Sequence, residues 1–194
     1  MKSKILSCFA LFCAMTLHAD VTDEATGISF PSEVSFDYEG KTYDLDITGV
    51  STRKKLILKV YSVAHYLQKN AKGEDRIEKI LSDVNAKQLT IKWARNVPLD
   101  KIHAGYDESF KNAISNPTAE QQKNIDTFVS FFNQEANKGD THVIRWIPGG
   151  IVEVEINGNK AGSITNIEFA KNLWNIWFGS KSVVNKDKLI SDMK

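Results

Sequence analysis

The chain has 194 residues, with 25 Lys/Arg against 24 Asp/Glu and a formal net charge of +1 at pH 7. Basic and acidic residues alternate along most of it, so it lacks the clustered cationic field that neutralises several phosphates, and nucleic acid is excluded as a partner. No apolar run reaches the roughly 20 residues that a membrane-spanning helix needs.

Residues 1–19 have the three-part layout of a secretory signal: Lys2 and Lys4, an apolar run from Ile5 to Leu17, and His18-Ala19 before acidic Asp20. The expectation is cleavage after Ala19, export to the periplasm or the medium, and one domain over residues 20–194. The competing outcome is that the segment stays attached as an anchor. Both cysteines, Cys8 and Cys13, fall inside the signal, so the domain has no thiol for a disulfide, a metal or a nucleophile. Removing Lys2 and Lys4 leaves 23 basic residues against 24 acidic ones.

From Ile28 to Ile47 the pattern alternates, with Glu39-Gly40 as turn residues, which predicts a β-hairpin. Alternation over residues 54–67 predicts one long strand. Leu56, Leu58, Val60, Ser62, Ala64 and Tyr66 would lie on one face, and Lys55, Ile57, Lys59, Tyr61, Val63 and His65 on the other. A short charged helix is expected over 74–81 and a strand over 88–95. Pro98 opens an amphipathic helix carrying Leu99, Ile102, Tyr106, Phe110 and Ala113. Asn116-Pro117 breaks it, and Thr118 with Gln121 caps a second helix that bears Ile125, Phe128, Val129 and Phe132 and ends near Gly139. Strands over 142–147, 151–156 and 160–165, joined by Pro148-Gly149-Gly150 and Asn157-Gly158, predict a meander. Asn166 caps an apolar helix that Gly179 stops, and the charged tail over 181–194 reads as a surface helix with Val183, Leu189 and Met193 inward. Strands, two helices, strands and a helix do not make a βαβ alternation. The expected class is α+β, an antiparallel sheet with helices on one face.

Catalytic templates are missing: there is no Gly-rich phosphate loop, no Gly-x-Ser-x-Gly elbow and no His-Glu-x-x-His helix. His65, His103 and His142 are isolated in sequence and no pair has metal-ligand spacing. Neither a metal nor a cofactor is expected.

The distinctive stretch is Gly49-Val50-Ser51-Thr52-Arg53-Lys54-Lys55, followed by Lys59-Val60-Tyr61 and Tyr66-Leu67. Together with Ala94-Arg95-Asn96-Val97-Pro98, the stretch from Gly105 to Asn112, and Ile176-Trp177-Phe178-Gly179, it resembles the chalcone-isomerase-like family, in particular its bacterial exported branch. The resemblance implies an open-faced β-sandwich, a large antiparallel sheet overlaid by a layer of helices, with a ligand cleft between them. Plant members close a flavonoid ring in that cleft, and others hold fatty acids with an arginine and a tyrosine at the carboxylate.

By that resemblance the site residues are Arg53 and Tyr61, with Tyr106 matching the helix tyrosine of the plant enzymes and Asn112 lying one residue from the position of their asparagine. A guanidinium pairs bidentately with a carboxylate, and a phenol adds a neutral donor. Tyr61 replaces the enzymes' threonine, and Ala113 falls where their asparagine aligns, so the isomerase network is incomplete. The expected function is therefore binding of a small amphipathic carboxylate, fatty-acid-like or aromatic. The rivals are an isomerase or lyase acting through Arg53 and Tyr106, and an envelope interaction protein without a small ligand. In the bland alternative, Arg53 is a surface ion-pairing residue and the tyrosines belong to the core. On a straight strand, eight residues at about 3.3 Å each hold Arg53 and Tyr61 roughly 26 Å apart. One shared ligand thus requires a bend between them.

Overall fold

The computed structural model describes residues 19–193. Apart from Ala19, the expected signal segment lies outside the described residues, as do both cysteines. The chain order is β1 (Val21–Asp23), β2 (Ile28–Phe30), β3 (Glu33–Tyr38), β4 (Lys41–Lys55), β5 (Leu58–Gln68), α1 (Arg76–Leu81), β6 (Lys87–Trp93), α2 (Leu99–Ala113), α3 (Ala119–Ser130), β7 (Thr141–Ile147), β8 (Ile151–Ile156), β9 (Asn159–Thr165), α4 (Ile167–Phe178) and α5 (Lys186–Leu189). Strands β3 to β9 form one antiparallel sheet in which spatial order equals chain order, and β1 and β2 form a separate ribbon. The α+β class with a large antiparallel sheet follows directly.

Two tight turns set this meander. Glu39-Gly40 and Asn157-Gly158 each hold two consecutive positive φ angles, the twist that a two-residue hairpin requires. Helix ends are set equally locally. Thr118 and Gln121 form a reciprocal capping box at α3, and the Asn166 side chain accepts from the Phe169 N–H at 2.9 Å to start α4.

α4 is apolar almost all round and lies across the sheet, burying Phe169, Leu173, Trp174, Ile176, Trp177 and Phe178 among others. At about 1.5–3 kcal/mol per large side chain, this helix makes a large contribution to the core's stability. The principal core lies between the sheet and α2, α3 and α4. A second cluster, Phe30, Tyr43, Leu45, Ile47, Ala64, Tyr66, Ala86 and Ile147, occupies the opposite face near the β1–β2 ribbon.

That ribbon is pinned by Asp23. Its carboxylate accepts from the Ser62 hydroxyl at 2.6 Å, from Thr26, from Thr52 and from the Ala25 N–H. Burial pushes this carboxyl up, but the four hydrogen bonds outweigh it and hold it below the usual carboxylate range.

Behind α4 a chain of hydrogen bonds fixes the tautomer of buried His65. Trp174 Nε1–H can only donate, and it donates to His65 Nε2 at 3.4 Å. His65 Nδ1–H therefore donates to Thr48 Oγ1 at 2.7 Å, and Thr48 donates onward to the Leu189 carbonyl at 2.6 Å. Thr48 is the unpaired residue of a bulge, because Ile47 pairs with Tyr66 and Gly49 with His65.

Three expectations about the elements need correction. The strand expected over 54–67 is a hairpin: Lys55 pairs with Leu58, and Leu56-Ile57 is the two-residue turn. Neither turn residue is Gly, Asn or Asp, so no local signal marked it. From Tyr61 to Leu67 both strand faces are buried, the odd-numbered side chains toward the helices and the even-numbered ones toward the second cluster. α3 ends at Ser130 rather than near Gly139. The following segment instead pairs with the chain just beyond the C-terminal end of β6, through a Val97–Ala136 bridge and a Gly139 N–H to Trp93 carbonyl bond at 2.9 Å. The tail carries only the short α5, and its last residues lie against β4, with the Asp192 N–H donating to the Thr48 carbonyl at 2.9 Å. Leu189 and Met193 are buried and Val183 half-buried against the core, as the pattern required.

Candidate functional site

Because β4 turns back at Leu56-Ile57, Arg53 and Tyr61 face each other as cross-strand partners, and Tyr61 in turn partners Trp93 on β6. A single row, Arg53–Tyr61–Trp93, thus crosses three strands on the helix-facing side of the sheet. The 26 Å separation of a straight strand does not arise, since directly opposed side chains sit about 5 Å apart.

Over this row lies a cavity of about 500 Å³, bounded by the β4–β5 hairpin, the β6–α2 junction, the inner face of α2 and the end of α4. Its volume is in the range of small-molecule sites. Tyr106 enters from α2, held by a stacked contact with Phe132 at 4.8 Å between ring centroids and an edge contact with Phe128 at 5.1 Å. Trp177 enters from α4 and Trp93 from the sheet, the latter edge-on to Tyr61 at 5.5 Å.

The charge pattern of the lining is one-sided. Arg53, Lys55, Arg95 and Lys101 line the cavity, and among the described residues no carboxylate does. Lys55 and Lys101 are satisfied at the exposed rim by Glu108 at 3.8 Å and Asp100 at 3.1 Å. Arg53 is half-buried, and among the described residues it has no ion-pair partner. A guanidinium without a counter-ion in an otherwise aromatic cleft is a receptor for an anion.

The two phenols complete that receptor. The Tyr61 hydroxyl accepts from Trp177 Nε1–H at 3.2 Å. Its own O–H has no acceptor among the described residues, so it remains to be donated to a ligand. Burial raises the Tyr61 pKa, opposed by the nearby Arg53 charge and by the hydrogen bonds that Trp177 and Arg53 donate to its oxygen. Burial also raises that of Tyr106, reinforced by Tyr61 and opposed by Arg53. Both are therefore neutral donors near neutral pH, and neither is poised as a base. Trp93 Nε1 is buried without a hydrogen-bond partner among the described residues, an orphan donor within the sheet rather than at the cavity surface.

Three of the four expected site residues, Arg53, Tyr61 and Tyr106, thus meet around one cavity. Asn112 does not, which corrects its assignment: it is exposed on α2 and absent from the lining. Six residues beyond Tyr106 it is turned well away around the helix, whereas Ser109, three residues on, shares the inner face. Sequence reasoning missed Trp93 and Trp177, whose apolar spacing marks them only as core. The histidines stay out of the site: His65 and His142 are buried in the core, and His103 is hydrogen-bonded to the Phe132 carbonyl at 2.7 Å. Among the described residues no three His, Cys, Asp or Glu side chains come together to hold a metal.

The model of the chalcone isomerase-like family matches residues 22–193 of the sequence. No curated protein matches it. Among solved structures, the fold is similar to the crystal structure of a fatty-acid binding protein of Arabidopsis thaliana, with a TM-score of 0.72 and 16% sequence identity over 89% of this chain and 96% of that one. At that identity the likeness establishes a shared fold.

Proposed function

The chain belongs to the chalcone isomerase-like family, and we propose that it is a non-catalytic binding protein for a single-chain amphipathic carboxylate, fatty-acid-like or aromatic. The observation that carries this reading is Arg53, which has no ion-pair partner among the described residues, beside the Tyr61 O–H at the base of an aromatic cavity whose described wall holds four cations and no carboxylate. The carboxylate accepts from Arg53 and Tyr61, with Tyr106 within the same electrostatic neighbourhood, and the apolar portion lies along Trp93, Trp177 and the β4–β5 hairpin. Apolar burial at about 25 cal/mol per Å² supplies most of the affinity, and the charged contact fixes orientation. The fatty-acid binding protein of similar fold supports this ligand class.

Titration calorimetry with a long-chain fatty acid and its methyl ester tests the reading. Arg53→Ala is expected to weaken binding of the acid by about tenfold to a hundredfold, as loss of a charge-assisted hydrogen bond does, and to leave the ester unaffected. Tyr61→Phe should cost the acid a smaller factor, about three- to tenfold. Equal affinity of wild type and Arg53→Ala for the acid would remove the anchor assignment. Turnover of a chalcone-type substrate that is lost in Tyr106→Phe would replace binding with catalysis.

The same reading includes export. The N-terminus of protein recovered from outside the cytoplasm is expected to be Asp20, and a start at Met1 would contradict cleavage after Ala19.

A further inference from the structure

The turn that closes β4 onto β5 is built against the rules that this chain follows elsewhere. Its other two-residue hairpins close with Glu39-Gly40 and Asn157-Gly158, polar residues followed by glycine. Here Leu56 takes the left-handed conformation at φ 55°, a position where a bulky side chain is a rare and costly choice. Nor does burial compensate for it: Leu56 is 94% exposed, Ile57 92% and Leu58 49%. Among the described residues nothing covers this turn or offsets its backbone strain.

Around this tip the charge is uniformly positive on the hairpin itself. Lys54, Lys55 and Lys59 are exposed on its two strands, and Lys101 stands across the cavity mouth on α2. Lys55 and Lys101 have only exposed partners, Glu108 at 3.8 Å and Asp100 at 3.1 Å, which water screens. The Lys59 ammonium donates to the Ala25 carbonyl, a neutral partner. An apolar tip ringed by lysines is the pattern of interfacial insertion, in which apolar side chains enter the headgroup–acyl boundary while cations meet anionic headgroups. Lysine stems suit this, reaching outward past the inserted residues.

We infer that the β4–β5 hairpin tip, Leu56-Ile57 with Lys54, Lys55 and Lys59, docks the protein on an anionic phospholipid surface. Leu56 and Leu58 also line the cavity, so docking brings the cavity mouth against the lipid. A single-chain amphiphile then passes between bilayer and cavity without crossing water. That last step rests on the ligand class proposed above, whereas docking itself does not.

The test uses ligand-free protein recovered from cells and sucrose-loaded vesicles, either phosphatidylglycerol mixed with phosphatidylcholine or phosphatidylcholine alone. Expected are sedimentation with the anionic vesicles that weakens as salt is raised, and a drop of about tenfold or more in partitioning for the double variant Leu56→Asn, Ile57→Gly. That variant installs the turn chemistry of Asn157-Gly158, so its melting temperature should hold or rise, which separates lost docking from lost folding. A separate Ile57→Trp variant reports on the tip itself, because the native tryptophans are buried. Emission from the introduced indole should shift to the blue and be quenched by phosphatidylglycerol brominated in the acyl chains. Emission from Ile57→Trp that stays unquenched, or equal partitioning of wild type and double variant, overturns the proposal. So does self-association of the wild type that the double variant abolishes in the absence of vesicles, since a second copy would then be what covers the tip. None of these readouts involves fatty-acid binding, so failure here and failure of the ligand assignment are distinguishable.

Discussion

Lowering the pH from 8 to 4.5 is expected to strip about 5 kcal/mol from the stability of this protein, through two buried histidines. Burial holds His65 at a pKa of about 3, with the Lys87 charge adding to the effect, and holds His142 at about 4 against a weaker opposing pull from Asp140. Both values are depressed below the 6.5 of an unfolded chain. For such a group the unfolded state takes up the proton first, so the stabilisation is complete above pH 6.5 and is lost as pH falls toward the folded pKa. By pH 4.5 each histidine has given up about two pH units of linkage, about 2.6 kcal/mol each.

The structural reason is specific at His65. Its Nε2 accepts from Trp174 and its Nδ1–H is already donated to Thr48, so a second ring proton has no acceptor and would displace the Trp174 N–H. Lys87 adds a change of the same sign at higher pH. Burial lowers it to about 7, against the pull of Asp83, so stability continues to rise as pH moves from 7 toward 10.5. Thermal melts followed by near-ultraviolet circular dichroism from about pH 4 to about pH 9 check this. His65→Gln should be less stable at pH 8, yet lose less on acidification to about pH 4.5. A wild-type melting temperature that stays flat over that interval contradicts the assignment.

How much of this could be read in the sequence depended on whether the signal was local. Glu39-Gly40, Asn157-Gly158, the Thr118–Gln121 box and the Asn166 cap are decided within four residues, and the turns and helix starts they set lie where the pattern put them. The Leu56-Ile57 turn carries no such chemistry. It also falls inside an unbroken alternation: the two-residue turn pairs Lys55 with Leu58 and shifts the period by one, and the bulge that leaves Val60 unpaired, between the Lys54–Lys59 and Arg53–Tyr61 pairs, shifts it back. One missed turn therefore separated Arg53 from Tyr61 on paper although they are partners in space. The family resemblance supplied the pairing that periodicity hid. Asn112 failed for the opposite reason. It was carried over by alignment with a one-residue offset, and on a helix one residue is a turn of about 100° away from the intended face. Trp93 and Trp177 were legible only as apolar, because the cavity they line and the Tyr61 hydroxyl to which Trp177 donates are brought to them by the fold.

The bulge at Thr48-Gly49 was equally hidden, and Gly49→Ala should be the most damaging single methyl added anywhere in β4. Gly49 has φ +150°, a conformation that side chains rarely adopt, and an added Cβ would lie 2.1 Å from the Lys188 carbonyl oxygen and 2.8 Å from the Leu189 carbonyl carbon. Both opposing atoms are backbone, so no rotamer change makes room. Either the strand straightens, which misaligns Thr48 with His65, or the tail leaves β4, which breaks the Thr48 to Leu189 bond and exposes Leu189 and Met193. Strain, a lost hydrogen bond and exposed apolar surface together amount to about 4 kcal/mol or more. Gly105→Ala is the contrasting substitution. Nothing lies within 4 Å of its added Cβ, and its place in the interior of α2 favours alanine, so a gain of about 0.5–1 kcal/mol is expected. Chemical denaturation of the two variants beside wild type should move the midpoints in opposite directions. If Gly49→Ala unfolds at the wild-type midpoint, the bulge is not held against α5, and the hydrogen-bond chain from Trp174 through His65 and Thr48 loses its terminus.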